Sequence, residues 1–400
     1  MKSEWTYRPL GELVSFASGG TPSKKRDDYW GGTIPWISAK TLKTENIDTS
    51  DLFITEEGLK AGSKIAPKGS ILLLTRGSGL FNGIPIARVE KDVAFNQDIK
   101  CLDSYGEVEN EFIFYWLLSQ KDYLMAKVGV TGIGAGKFDL DFLQKLMIPI
   151  PSERERKSIV GFASSISEKI RCNAKVNDNL EQQAVALFKS WFVDFSLFGG
   201  TVPENWEDTT LENITTLITR GIAPKYSDNS DQTVVNQKCI RNHTIDLSLA
   251  RTHTPKAINE KWLKFGDLLI NSTGDGTLGR VAQVWFAPKA LTVDSHVTIV
   301  RPAREELIFY IGLWGILHEK EIESLHTGST GQTELPRDRV KMLKLLLPDN
   351  ISLSRFNSII TPMASTIISN QEENQKLASL RDTLLPKLMS GEIDVSNIQF

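Results

Sequence analysis

Cysteine is scarce in this 400-residue chain: Cys101, Cys172 and Cys239 stand far apart and form no Cys-x-x-Cys pair. Such spacing excludes a disulfide framework and a cysteine-based zinc knuckle, and it suits a reducing cytoplasm. No apolar run approaches the ~20 residues that span a bilayer. The opening stretch MKSEWTYRPLGELV has no apolar core of the kind a secretion signal carries. Positive charge is not in excess either, since 46 Lys and Arg oppose 49 Asp and Glu for a net −3. The balance holds in each half, 18 basic against 19 acidic over 1–150 and 17 against 19 over 201–349. Nucleic-acid binders are more often basic, so any such affinity has to come from local clustering or from a more basic partner.

Catalytic constellations are missing as well. The five histidines (His243, His253, His296, His318, His326) contain no HExxH or H-x-x-x-H pair and read as ordinary polar residues. There is no G-x-S-x-G elbow, no D-P-P-Y or N-P-P-Y loop of an adenine methyltransferase and no acid-plus-lysine nuclease cluster, whereas catalysis requires a dense site. The stretch GVTGIGAGKFD (129–139) looks like a phosphate-binding loop. Yet Thr131 replaces its first glycine, and Phe138 stands where a hydroxyl would bind magnesium. It reads instead as a flexible turn leading into a terminal apolar strand.

What is present is a duplication, and repeats decide the fold before anything else. EFIFYWLLSQ (111–120) recurs as ELIFYIGLWG (306–315), and PKGSILLLTRGSGLFNGIPIARV (67–89) recurs as KFGDLLINSTGDGTLGRVAQV (264–284). TGIGAGKFDLDFLQKLMIPIP (131–151) answers to TGSTGQTELPRDRVKMLKLLLP (327–348). From about residue 143 the offset holds at 197 and the pattern becomes helical. In 152–195, Ile159, Phe162, Ile166, Ile170, Asn173, Asn177, Leu180, Ala184, Leu187 and Trp191 recur at steps of three and four. That is a coiled-coil seam. Its counterpart is Phe356, Ile359, Met363, Ile367, Asn370, Asn374, Leu377, Arg381, Leu384 and Leu388. Chain direction makes two such helices antiparallel if they pack together. With a pseudo-twofold axis between the asparagines, seam partners sum to 547: Asn173 with Asn374, Asn177 with Asn370, Ile170 with Leu377, Leu180 with Ile367, Trp191 with Phe356. Buried seam asparagines penalise slipped registers. Pro362 predicts a kink or a late start in the second helix. Some 40 residues of helix correspond to roughly 60 Å, one to two turns of duplex DNA.

Before each helix lies a mixed region of short strands, glycine turns and one good helix, 109–126 in the first and 305–324 in the second. Strands are expected at SILLLT, IPIARV, DIKCLD and KLMIPI, and at DLLINS, RVAQVW, HVTIVR and LKLLLP. The class is α+β. The loops GGTPSKKRDDYWGG (19–32), SAKTLKTENI (38–47) and TRGSGLFNG (75–83) set basic side chains among Ser, Thr, Asn and aromatics. So do TRGIAPKYSDNS (219–230), VNQKCIRNHTI (235–245) and NSTGDGTLGR (271–280). This mix can hold phosphates through Lys or Arg and read base edges through Asn, Gln or Arg. The candidates are Lys24, Lys25, Arg26, Lys40, Arg76, Asn82 and Lys137, then Arg220, Lys225, Lys238, Arg241, Asn242 and Arg280. Trp30 and Trp36 read as core rather than as stacking platforms.

With these residues in view, the chain resembles the DNA-specificity subunits of Type I restriction–modification systems. The likeness is carried by GGTPSKKRDDYWGGTIPWIS, ILLLTRGSGLFNG, AFNQDI (94–99), TGIGAGKFDLDFLQKLMIPIP and LLPKLMSGEIDV (384–395). It implies two target-recognition domains (1–150 and 199–349), each followed by a spacer helix (151–198 and 350–400). The helices form an antiparallel two-helix coiled coil that separates pseudo-twofold-related globular domains. It further implies a cytoplasmic, non-catalytic subunit without cofactor. Such a subunit binds a bipartite, asymmetric site in double-stranded DNA. It docks two adenine-N6 methyltransferase subunits that use S-adenosylmethionine, and two motor-endonuclease subunits that use ATP and Mg2+. The sequence departs from the family wording in PSERERK (151–157) and PDNISLS (348–354), and the second copy has RGIAPKY and VNQKCI where the first has GGTPSKK and PWIS. The alternatives left open are a self-contained two-domain DNA-modifying enzyme and a scaffold that binds no DNA.

Overall fold

The computed structural model describes residues 5–131, 134–274, 276–328 and 333–395. The chain divides into two compact units, Met1–Arg171 with Asn374–Phe400, and Cys172–Glu373.

In the first unit the run Ile71–Leu74 is buried at every residue, as expected for a strand covered on both faces rather than one. It lies third in a five-stranded sheet ordered Val14–Ser18, Ile99–Ser104, Ile71–Leu74, Ile86–Val89 and Asn46–Ile47. Helix Asn110–Ser119 buries Phe112 to Leu118 without interruption and packs on Ile86–Val89. Its apolar girth reflects a helix enclosed by core rather than one with a wet face. A second sheet pairs Trp30–Ile37 parallel to Val93–Phe95, and Thr6–Pro9 pairs antiparallel with Met147–Ile150.

The second unit repeats this plan. Thr215–Arg220, Val297–Pro302, Leu268–Asn271 and Val281–Gln283 follow the same order, Thr233–Val235 runs parallel to Leu291–Val293, and Glu207–Thr210 pairs antiparallel with Lys344–Leu347. Every strand expected from the apolar runs is a strand. The mixed-polarity strands Val14–Ser18, Trp30–Ile37 and Thr215–Arg220 carry no such run and are found only through their partners.

Both long helices are 40 residues, Glu153–Phe192 and Asn350–Met389. The first opens on a reciprocal cap, Ser152 N–H to Glu155 Oε2 at 3.0 Å and Glu155 N–H to Ser152 Oγ at 3.3 Å. The second opens on Asp349, whose carboxylate accepts from Ile351 N–H (2.8 Å), Ser352 N–H (2.9 Å) and the Trp206 indole (2.8 Å). PSERERK and PDNISLS thus solve one problem, the orphan amides of a helix start, with different side chains. The second helix already runs 12 residues upstream of Pro362, so no late start occurs there.

Within each unit the helical segments run antiparallel. In the first, Asn374 Nδ2 donates to the Ile170 carbonyl (3.4 Å) and Arg381 Nη1 to Ser167 Oγ (3.2 Å). In the second, Asn370 Nδ2 donates to Asn177 Oδ1 (2.8 Å), Asn173 Nδ2 to Glu373 Oε2 (2.7 Å), and the Trp191 and Phe356 rings lie 5.7 Å apart. Ile159, Asn173, Asn177, Trp191, Phe356, Ile367 and Leu388 are buried. Ile170, Leu180, Asn370, Asn374 and Leu377 are half-buried.

Five seam positions differ from expectation by one residue: Ala163, Phe188, Ile360, Ala364 and Leu385 are buried, whereas Phe162, Leu187, Met363 and Leu384 are half-buried and Ile359 is exposed. Toward its ends each helix packs into a globular core as well as on the other helix, and these five residues belong to those cores. The core, not the helix partner, selects the inward residue there.

Asn177→Leu is expected to destabilise the protein by about 1–3 kcal/mol in urea unfolding, because Asn370 loses a buried acceptor. The double change Asn177→Leu/Asn370→Leu should recover that loss or more.

Burial pushes the Asp349 carboxyl up, but the Ser352 amide and hydroxyl, the Trp206 indole and the Ile351 amide outweigh it and hold the group at about 2, against an ordinary 3.8. A folded value below the unfolded one stabilises above pH ~4 and ceases to do so as pH falls toward about 2. Asp349→Asn should therefore lower stability at pH 7, by on the order of 1–2 kcal/mol, and flatten the decline between those pH values.

Candidate nucleic-acid interface

In the first unit, backbone pairing brings three separated loops together. Thr75 N–H donates to the Asp98 carbonyl (2.8 Å) and Phe138 N–H to the Thr75 carbonyl (2.9 Å). The stretch 129–137 is a short hairpin, Gly129–Val130 with Gly136–Lys137, rather than a turn running into the last strand; Gly132 and Ile133 lie outside the described residues. The hairpin is added to Arg76–Gly77, with Lys137 directly opposite Arg76. Gly77 has φ +138°, and a Cβ there would lie 3.9 Å from Ala39, which places loop 38–43 alongside. Arg76, Lys137, Asn82 and Lys40 are all exposed.

Two further links hold this face. Thr21 Oγ1 donates to Gln97 (2.7 Å), tying in the loop that carries exposed Lys24 and Lys25. Arg26 beside them donates to both Asp28 oxygens (2.8 and 2.6 Å) and lies over the Tyr29 ring, so its charge is already matched. Trp36 is buried and meets half-buried Trp30 edge-on at 5.2 Å, as core aromatics do. At the far end of loop 38–47, Glu45 accepts from Arg381 Nη1 (2.6 Å) and Nη2 (3.1 Å), and Lys121 pairs with it at 3.3 Å. The seam cation Arg381 therefore anchors a surface loop, a role its heptad position did not announce.

The second unit uses the same backbone scheme. Ser272 N–H donates to the His296 carbonyl and Leu335 N–H to the Ser272 carbonyl, both at 2.8 Å, and Thr273 bridges Glu334. Beside this frame lies a polar chain in which Thr273 Oγ1 meets Gln237 Oε1 (3.1 Å) and His296 Nδ1 (2.7 Å). Asp294 accepts from His296 N–H (2.9 Å), and burial raises its carboxyl above the usual range. Arg220 is committed internally, through Nη2 to the Leu335 carbonyl (2.9 Å) and Nη1 to Glu334 (2.5 Å). Lys225, Lys238 and Arg241 are exposed and Arg280 half-buried. Asn242 and His243 form the turn of hairpin 240–245 with φ of 48° and 59°, so left-handed backbone accounts for an asparagine there.

Gln237, Thr273 and His296 were not among the sequence candidates. The only signal for them was the loop correspondence between copies, which becomes usable once the backbone fixes it. Among the described residues no group of His, Cys, Asp and Glu could hold a metal ion, and no helix is long and apolar enough to cross a membrane.

The two units thus carry like backbone frames with unlike side chains. Residues 2–182 match the family described as the Type I restriction modification DNA specificity domain. The chain is 27% identical to the Type I restriction enzyme MjaIX specificity subunit of Methanocaldococcus jannaschii, over 99% of this chain and 95% of that protein. To the EcoR124I/EcoR124II specificity subunit of Escherichia coli it is 31% identical over 40% of each. The crystal structure of a Type-I restriction-modification system S subunit from M. genitalium shares the fold, with TM-score 0.55 and 17% identity over 96% of both chains. The chain thus resembles the specificity subunits of Type I systems, in its first half by the family match and along its whole length by the relative from M. jannaschii.

Arg220→Met should lower the unfolding free energy measured in urea by about 1 kcal/mol, for the lost carbonyl bond. Lys238→Met, at an exposed side chain, should stay within ~0.5 kcal/mol of the parent.

Proposed function

We propose that this chain sets the DNA target of a Type I restriction–modification complex by reading a bipartite, asymmetric site in double-stranded DNA, one half per recognition domain (1–150 and 199–349). The two long helices, within 151–198 and 350–400, act as the spacer between the halves. Methyltransferase subunits that use S-adenosylmethionine dock on the chain, two per complex, and two motor-endonuclease subunits dependent on ATP and Mg2+ join through them. The cytoplasm is its place of work. Eleven of the thirteen candidate residues supply base and phosphate contacts, while Arg220 and Arg26, whose charges are already matched, act through loop geometry.

The observation that carries this reading is one backbone frame built twice, with cationic Arg76 and Lys137 on the first and neutral or acidic Thr273 and Glu334 at the same places on the second. A scaffold gripping two identical partners would keep the side chains; a reader of two different half-sites would change them. Near-neutral charge further implies that methyltransferase subunits share the phosphate contacts.

In filter binding, the chain alone should bind duplex DNA weakly, with affinity falling steeply from 50 to 200 mM salt. Adding the methyltransferase should produce tight, sequence-specific binding. Nanomolar sequence-specific binding by the chain alone, or DNA cleavage or methylation by it, would overturn the reading.

A further inference from the structure

The duplication supplies an internal comparison that sorts the surface side chains of each recognition face. Backbone bonds, not sequence likeness, set the correspondence. Asn96 N–H donates to the Ile37 carbonyl (2.9 Å) as Asp294 N–H does to that of Val235 (3.0 Å). Lys40 N–H donates to Ser38 Oγ (3.3 Å) as Lys238 N–H does to Asn236 Oδ1 (2.9 Å). Gly77 and Gly274, both at positive φ, follow Arg76 and Thr273, and each abuts the residue before the lysine, Ala39 or Gln237. Lys40 therefore matches Lys238, Ala39 matches Gln237, Arg76 matches Thr273, and Lys137 matches Glu334.

At one of these places the side chain is the same. Lys40 and Lys238 are both exposed, and among the described residues neither ammonium meets a carboxylate. At the others the chemistry changes. The first copy presents two exposed cations, Arg76 and Lys137, which are donors only. The second presents an amide and an imidazole joined through a hydroxyl, with Glu334 neutralised by Arg220. A phosphate is alike at every step of the duplex and asks for the same cation in both copies. Base edges differ between half-sites and ask for different groups.

Resting on the proposed function, we infer that Lys40 and Lys238 are the paired phosphate anchors of the two domains, while Arg76 reads a G·C pair in one half-site and Gln237 an A·T pair in the other. Arginine matches the N7 and O6 acceptors of guanine, and the carboxamide matches the N7 acceptor and N6 donor of adenine. Thr273 and His296 are positioning residues that hold the Gln237 amide.

The test uses the complex assembled with its methyltransferase. The probes are the duplex target mapped from methylated adenines in the source genome and a panel with each base pair replaced singly. Lys40→Ala and Lys238→Ala should weaken all duplexes by one common factor and reduce the salt slope by about 1. Arg76→Ala should abolish a roughly five- to hundredfold preference at one G·C pair, and Gln237→Ala a similar preference at one A·T pair of the other half. Gln237→Glu, which keeps shape and loses the donor, should act like Gln237→Ala. A lysine variant that alters preference at a single base pair, or Arg76 and Gln237 variants that weaken all duplexes alike, would overturn the assignment. If the unsubstituted complex binds every duplex equally, the proposed function itself has failed and not merely the sorting of residues.

Discussion

Each loop face depends on a pair of backbone hydrogen bonds, Thr75 to Asp98 and Phe138 to Thr75 in the first unit, and Ser272 to His296 and Leu335 to Ser272 in the second. They join three loops far apart in sequence without calling on the side chains that point away from the frame. Main-chain groups are the same whatever the residue, so the frame survives substitution at the positions it displays. This is how Arg76 can face Lys137 in one copy while Thr273 faces Glu334 in the other. A surface whose chemistry differs between the copies while its shape is kept is held by bonds that do not depend on that chemistry.

The long helices obey a different constraint. A 40-residue amphipathic rod could slide along a partner by a turn and still bury apolar surface. Polar groups in and beside the seam oppose that. Asn370 donates to Asn177, which in turn donates to the Ile367 carbonyl, and Asn374 reaches the Ile170 carbonyl. Arg381, nine-tenths buried, finds Glu45 and Ser167 at one register. Such groups contribute little net stability when paired, but a slip leaves each desolvated and unpaired. Arg381 also ties the helix to the end of loop 38–47, linking rod geometry to loop placement.

Much of the architecture was legible beforehand because it rests on periodicity and repetition. Short apolar runs such as Ile71–Leu74 and Leu268–Ile270, bounded by glycine turns, read as interior strands, and three-four spacing around Asn173 and Asn370 reads as a helix seam. Where two packing partners compete, periodicity lost its authority. Ala163 and Phe188 turn inward rather than Phe162 and Leu187 because a globular core, not only a second helix, lies beside them. Arg26 and Arg220 looked like free cations, and Asp28 and Glu334 answer them. His296, set aside as an ordinary polar residue, lies in the polar chain with Thr273 and Gln237.

By itself the sequence determined the duplication, the helix pair and the strands of each core, because these follow from short-range order along the chain. Tertiary structure alone decided which loop residues stand side by side, which charges are already matched and which positions in the two copies are equivalent. Those are facts about pairs of residues separated by tens of positions, as with Arg76 and Lys137 or Gln237 and Thr273. Their meeting is set by strand register, a property of the folded backbone that no local pattern encodes.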